Sequence, residues 1–241
     1  MSIRAITFDF WGTLFRDANL EDRHIGRVDA LVALASVTPE QADAALQVVY
    51  QEFARVHIDE QRTLDHHDGA RLSLAELGIT LSPEEIAELA RRFAEAILIH
   101  PAYPIDGALE AVRAAAARVP VGVICDSGIS PGSALTDLLE RNGFAAHFRV
   151  LTFSDEVGVS KPRPIMFEQT AKALGVAPSE ILHIGDLEPT DIVGIHGVGG
   201  TGALIAATNP KYYESTKARF RMKTWAEFAA VLDEIIPPYN P

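Results

Sequence analysis

Four places in the chain put reactive polar groups directly behind short apolar runs. Asp9 follows residues 3–8 and precedes Gly12-Thr13. Cys125-Asp126-Ser127-Gly128 closes the run Val121–Cys125. Lys161, flanked by Pro162 and Pro164, comes after the run 149–153. Asp186, with Asp191 shortly beyond it, follows residues 181–184. A carboxylate at the carboxyl end of a central strand faces the crevice where open α/β sheets bind ligands. If these four ends share one sheet edge, Asp9, Asp186 and Asp191 repel one another unless a cation joins them. Magnesium suits hard carboxylate oxygens and keeps water and substrate phosphate as its other ligands. Lys161 can neutralise both a nucleophile and a substrate.

The elements that must position these groups can be read in order. The opening run is rich in β-branched and aromatic residues, as a short buried strand requires. Residues 16–100 have another texture. Apolar side chains recur there at helical spacing: Val28, Leu31, Val32 and Ala35; Leu46, Val49, Phe53 and Val56; Ile86, Leu89, Phe93 and Ile97. Thr38-Pro39-Glu40 and Ser82-Pro83-Glu84-Glu85 are helix starts, and Gly78 ends a helix between them. Residues 100–107 form a turn-rich linker. Beyond it strands and helices alternate. Helices are expected at 107–118, 131–142, 164–174, 189–196 and 225–236. Strands are expected at 121–125, 149–153, 181–184, 203–206 and 220–222. Such alternation implies an α/β fold, a Rossmann-like parallel sheet with helices on both faces. The expected organisation is a core of residues 1–15 and 101–241, with an all-helical cap, 16–100, inserted after the first strand.

Composition narrows the class. The formal charge of -12 disfavours nucleic acid or an anionic membrane as the main partner. Cys125 is the single cysteine, so an intrachain disulfide is impossible and a reducing compartment suits the chain. The sequence shows no signal pattern and no apolar run of membrane-spanning length. The expectation is a soluble cytoplasmic protein, monomer or homodimer, whose partner is a small molecule.

Taken together, the four motifs resemble the haloacid dehalogenase superfamily: an apolar strand followed by D-x-x-G-T, a second strand ending in small polar residues, a Lys-Pro pair, and G-D-x-x-x-x-D. The resemblance covers the whole chain in the right order. It implies a hydrolase with Asp9 as nucleophile, forming an aspartyl intermediate. It implies Lys161 as the group that stabilises developing charge. By the same resemblance magnesium would be held by Asp9, Asp186, Asp191 and the backbone carbonyl of Trp11. Trp11, Gly12, Thr13, Asp126 and Ser127 would line the substrate.

Trp11 departs from the phosphatase pattern. Many phosphatases of the superfamily carry there a second Asp that protonates the leaving oxygen. Dehalogenases carry an aromatic residue at that position and use no metal, yet the acidic fourth motif here is phosphatase-like. The main expectation is a magnesium-dependent phosphatase acting on a small phosphorylated metabolite. Its alternatives are a metal-free 2-haloacid dehalogenase and a non-catalytic metal- or anion-binding homologue. At the second strand end, Cys125, Asp126 and Ser127 remain open as substrate contacts. Glu188 reads as a loop acid. Two patterns read as decoys. Gly197, Gly199 and Gly202 match G-x-G-x-x-G but follow a helix, the reverse of the dinucleotide arrangement. Asp65-His66-His67-Asp68 resembles a ligand set, but adjacent helix side chains diverge. His66, His67 or Asp68 could instead enter the site from the cap and replace the missing acid.

Overall fold

The computed structural model describes residues 2–236. Its centre is a six-stranded parallel sheet. In chain order the elements before the helical segment are β1 (Ala5–Phe8) and β2 (Phe15–Arg16). The segment itself holds α1 (Leu20–Ala35), α2 (Pro39–Arg55), α3 (His66–Leu77) and α4 (Pro83–Ile99). Then follow β3 (Tyr103–Pro104), α5 (Ala108–Ala116), β4 (Val121–Cys125), α6 (Gly132–Arg141), β5 (Val150–Phe153), α7 (Ser154–Val157) and α8 (Pro164–Leu174). The chain continues with β6 (Ile181–Gly185), α9 (Val193–Gly197), β7 (Thr201–Ile205), β8 (Phe220–Met222) and α10 (Phe228–Ile235). The sheet order is β5-β4-β1-β6-β7-β8.

β1 lies between β4 and β6, so the chain crosses sides there and opens a crevice at its carboxyl end. Every residue of β1, β4 and β6 is buried, which explains their mainly apolar character, broken by Thr7 and His183. Period-two alternation divides the two faces. Ile6 and Phe8 pack with Phe144, Trp225 and Phe228 on one side. Ala5 packs with Met166, Phe167 and Ile195 on the other.

Helices α1 to α4 enclose a separate apolar cluster that includes Leu31, Leu46, Leu74, Leu89 and Phe93. The expected starts of α2 and α4 are both present as capping boxes, Thr38 with Gln41 and Ser82 with Glu85. The linker before α5 differs from its reading as plain turn. Tyr103–Pro104 pairs antiparallel with Phe15–Arg16 exactly where the chain leaves the sheet for the helices and returns. A two-residue ladder is too short to leave a periodic signal. The last sheet strands fall near their expected places, with β7 starting two residues early at Thr201. The expected helix at 189–196 is a π-type turn, Glu188–Ile192, running into α9. Among the described residues, no helix is long and apolar enough to cross a membrane.

Candidate active site

Asp9 follows β1 directly. Its N–H donates to Ile184 O of β6 at 2.8 Å, which extends the ladder by one residue and fixes the side chain at the crevice. Gly12 then turns the chain with φ of +70°, and a Cβ there would stand 2.7 Å from Asp186 Oδ2. The glycine lets the first loop and the Asp186 carboxylate approach closely. Asp186 comes from the end of β6, and Asn209, in the loop after β7, donates to its Oδ2 at 2.9 Å. Carboxylate oxygens of Asp9, Asp186 and Asp191 lie within 4.8 Å of one another, and all three residues are buried.

Lys161 enters this cluster from the loop before α8. Its Nζ donates to Asp9 Oδ1 at 2.7 Å and to Asp191 Oδ1 at 2.6 Å. Asp191 is further engaged by His183 Nε2 at 3.1 Å and by the Leu187 N–H on Oδ2 at 3.0 Å. His183 Nδ1 accepts from Thr7 Oγ1 at 2.9 Å. A neutral imidazole with its proton on Nε2 satisfies both bonds. Burial lowers the His183 pKa, in keeping with that neutral form.

Electrostatics separates the three carboxyls. Burial pushes Asp9 well above the usual carboxylate range; the other two acids add to this and Lys161 opposes it. Burial, aided by Asp191, lifts Asp186 to about 6. Burial would raise Asp191 too, but Lys161 and His183 outweigh it and hold that carboxyl below its ordinary value. For Lys161, burial acts to lower the pKa and the charges of Asp191 and Asp9 more than offset it, so the ammonium persists. The cluster is thus one cation among three acids, hard oxygen donors with surplus negative charge.

The second strand end resolves as follows. Cys125 is fully buried, and burial pushes its thiol up, away from the reactive thiolate. Asp126 and Ser127 line a cavity of about 360 Å³ that also touches Trp11, α1 and the end of α2. Asp126 Oδ1 accepts the Lys161 N–H at 2.9 Å, and its Oδ2 lies 3.9 Å from His57 Nε2. Burial raises the Asp126 carboxyl as well. The Ser127 hydroxyl donates to Asp155, which also takes the Gly132 N–H at 3.0 Å. Thr13 is fully buried and away from the cavity; its carbonyl accepts from Trp225 Nε1 at 3.0 Å. Its hydroxyl finds no partner among the described residues. Trp11 packs edge-on against Phe10 and projects into the cavity, where the Arg23 guanidinium lies 5.9 Å from its ring.

The other candidates fall elsewhere. Asp65 and Asp68 form the capping box of α3. His66 and His67 face a different depression, beside Arg91 and Asp137. The expectation that His66, His67 or Asp68 replaces the missing acid is therefore corrected: cap formation claims Asp68, and helix direction turns both rings toward the other depression. Glu188 binds the Thr216 hydroxyl and the Lys217 N–H, so it ties down a loop. Gly197 ends α9, Gly199 and Gly200 lie in its connection to β7, and Gly202 is inside that strand. Sequence reasoning missed His183, Asn209 and His57. A histidine inside an otherwise apolar strand was the available signal for His183. Asn209 and His57 reach the site only through tertiary packing.

A parallel sheet thus brings three acids and a lysine together at one edge. A family model described as haloacid dehalogenase-like hydrolase matches residues 3–199, and the chain belongs to that family. It is 29% identical over 192 residues to N-acetylmuramic acid 6-phosphate phosphatase of Pseudomonas aeruginosa, covering 77% of this chain and 74% of the relative. It is 33% identical over 118 residues to phosphoserine phosphatase of Thermus thermophilus, covering 49% of this chain and 46% of the relative. Its fold matches a 2-haloacid dehalogenase from Pseudomonas syringae with a TM-score of 0.71 at 19% identity, covering 96% of this chain and 99% of that one. The last likeness shows a common fold alone.

Proposed function

We propose that this hydrolase is a magnesium-dependent phosphatase for a small phosphorylated metabolite, with Asp9 as nucleophile. The observation that carries the reading is the buried cluster in which Lys161 joins Asp9 and Asp191 beside Asp186. Its donor set fits a small hard cation. Asp9, Asp186 and the backbone carbonyl of Trp11 would hold the ion. Asp191 already accepts three hydrogen bonds, and its part is to hold Lys161. When bound, magnesium supplies positive charge to the phosphoryl oxygens.

The residues then divide the work. Lys161 fixes Asp9 Oδ1, leaving Oδ2 to attack phosphorus. An Asp9 oxygen–phosphorus bond forms as the ester oxygen leaves, and water later cleaves the aspartyl phosphate. Lys161 steadies the charge that grows during both displacements. Residues 16–100 act as the cap, because α1 and the end of α2 wall the cavity over the strand ends. The two phosphatase relatives support phosphoryl transfer. Trp11 brings no proton, which favours substrates with a good leaving group. We place the enzyme in the cytoplasm, where the lone buried Cys125 stays reduced.

Trp11 is also the observation that favours a second reading, halide displacement from a 2-haloacid without metal. A panel of phosphate esters and 2-haloacids, each assayed with magnesium and with chelator, separates the readings. Phosphate release that requires magnesium and disappears in Asp9→Asn is expected. Halide release insensitive to chelator replaces the phosphatase reading with the dehalogenase one. Magnesium binding without turnover of any compound would make the chain a non-catalytic homologue.

A further inference from the structure

The cavity above Trp11 has one wall that phosphoryl transfer does not use. Helix α1 presents Arg23 and Arg27 to it, one turn apart and on one face. Arg23 has a counter-ion in Asp17. Arg27 is 5% exposed; it donates through Nε to Phe93 O at 3.3 Å and through a terminal nitrogen to Ser130 Oγ at 3.2 Å. Among the described residues, no carboxylate stands within ion-pair distance of it. A guanidinium carries five donors and a permanent charge. A buried charge without a counter-ion is costly, and burial lowers the Arg27 pKa accordingly. Tyr50 opposes that effect only in part, and an anion entering the cavity would supply the missing counter-charge.

The surroundings say what kind of anion. Trp11, Phe53 and Ile129 give the cavity apolar walls, and Asp126 marks the end nearest Lys161. One guanidinium without a carboxylate partner matches one negative charge, and its planar fork matches the two oxygens of a carboxylate. The apolar walls match a short carbon stem between that carboxylate and the reacting group.

We propose that Arg27 binds a carboxylate on the substrate, at the end away from the phosphoryl group, so that the enzyme selects small phosphorylated acids over neutral phosphate esters. The proposal rests on the phosphatase reading for the phosphoryl end only, and its test needs no turnover. Phosphonates keep their carbon–phosphorus bond and bind without being hydrolysed. Calorimetry with magnesium would compare 3-phosphonopropionate and 4-phosphonobutyrate with propylphosphonate and butylphosphonate. The wild type is expected to bind at least one acid about tenfold or more tighter than its alkyl partner, and Arg27→Gln to shrink that ratio to about twofold. Leu20→Glu changes an exposed residue on the cavity rim, and its added negative charge should shrink the ratio without disturbing buried packing. Equal affinity of acid and alkyl partners in the wild type overturns the proposal, and so does a ratio that neither variant changes. Selective binding of the acids by a wild type that hydrolyses no phosphate ester keeps the carboxylate pocket and removes the phosphatase reading.

Discussion

Exchanging Asp186 for Asn separates two properties that the acidic cluster combines, ion binding and fold stability. The substitution keeps the side chain's size, and its amide oxygen can still accept from Asn209. In the folded chain burial lifts the Asp186 carboxyl to about 6, against roughly 3.9 in an unfolded chain. A carboxyl raised by folding contributes stability that is intact below the unfolded value and lost as pH climbs through the folded one. Two pKa units at about 1.4 kcal/mol each put the full loss at ~3 kcal/mol by pH 8, with about half of it already present at pH 5. In chelator, Asp186→Asn should therefore be more stable than the wild type by up to ~3 kcal/mol at pH 8, and by about half as much at pH 5. Magnesium offsets that advantage, bringing the two proteins about level at pH 8 and putting the wild type ahead at pH 5. At a hundredfold excess over its Kd it stabilises the wild type by about 2.7 kcal/mol and the variant by nothing. Urea unfolding at both pH values, with chelator and with magnesium, reads all four quantities, and calorimetry reads the ion directly. A variant less stable than the wild type in chelator at pH 8 refutes the electrostatic account. Equal stabilisation of both proteins by magnesium refutes the assignment of Asp186 as a ligand.

The exchange Trp11→Asp returns a carboxyl to the position from which it could protonate a leaving oxygen. Turnover of alkyl phosphates should rise about a hundredfold, within the usual range for general acid help, while p-nitrophenyl phosphate, whose leaving group needs no proton, changes little. A rise of equal size for both esters would mean that Trp11 acts by obstruction alone. Gly12→Ala combines a left-handed backbone with a Cβ placed 2.7 Å from Asp186 Oδ2. It should cost about 1–3 kcal/mol of stability and weaken magnesium binding, and an unaltered magnesium titration would show that the first loop is not part of the ion site.

Much of the chemistry was legible in the chain because its positions follow from local rules. A parallel strand ends at the same edge as its neighbours, so Asp9, Lys161, Asp186 and Asp191 could be gathered from three apolar runs and the polar residues behind them. Capping chemistry placed α2 and α4 for a similar reason: Thr38 and Ser82 bond to residues three positions on. The division of labour inside the cluster was not legible. Asp186 and Asp191 look alike in sequence. They differ because His183 and Lys161 reach Asp191 while Asn209 reaches Asp186.

The cavity wall is the clearest case of what packing alone settles. Periodicity marked Val28, Leu31 and Val32 as the apolar side of α1 and gave Arg27 beside them no role. In the fold α4 and the loop after β4 close over it, supplying Phe93 O and Ser130 Oγ as partners. His66 and His67 went the other way. Their spacing suggested chemistry, and the direction of α3 turns them toward a separate depression. The sequence by itself determined the strand-end residues, the helix starts and the class of fold, since each depends on neighbours in the chain. Tertiary structure decided which acids keep their protons, which arginine lacks a counter-ion and what surrounds Trp11, since burial and long-range charge have no local signature.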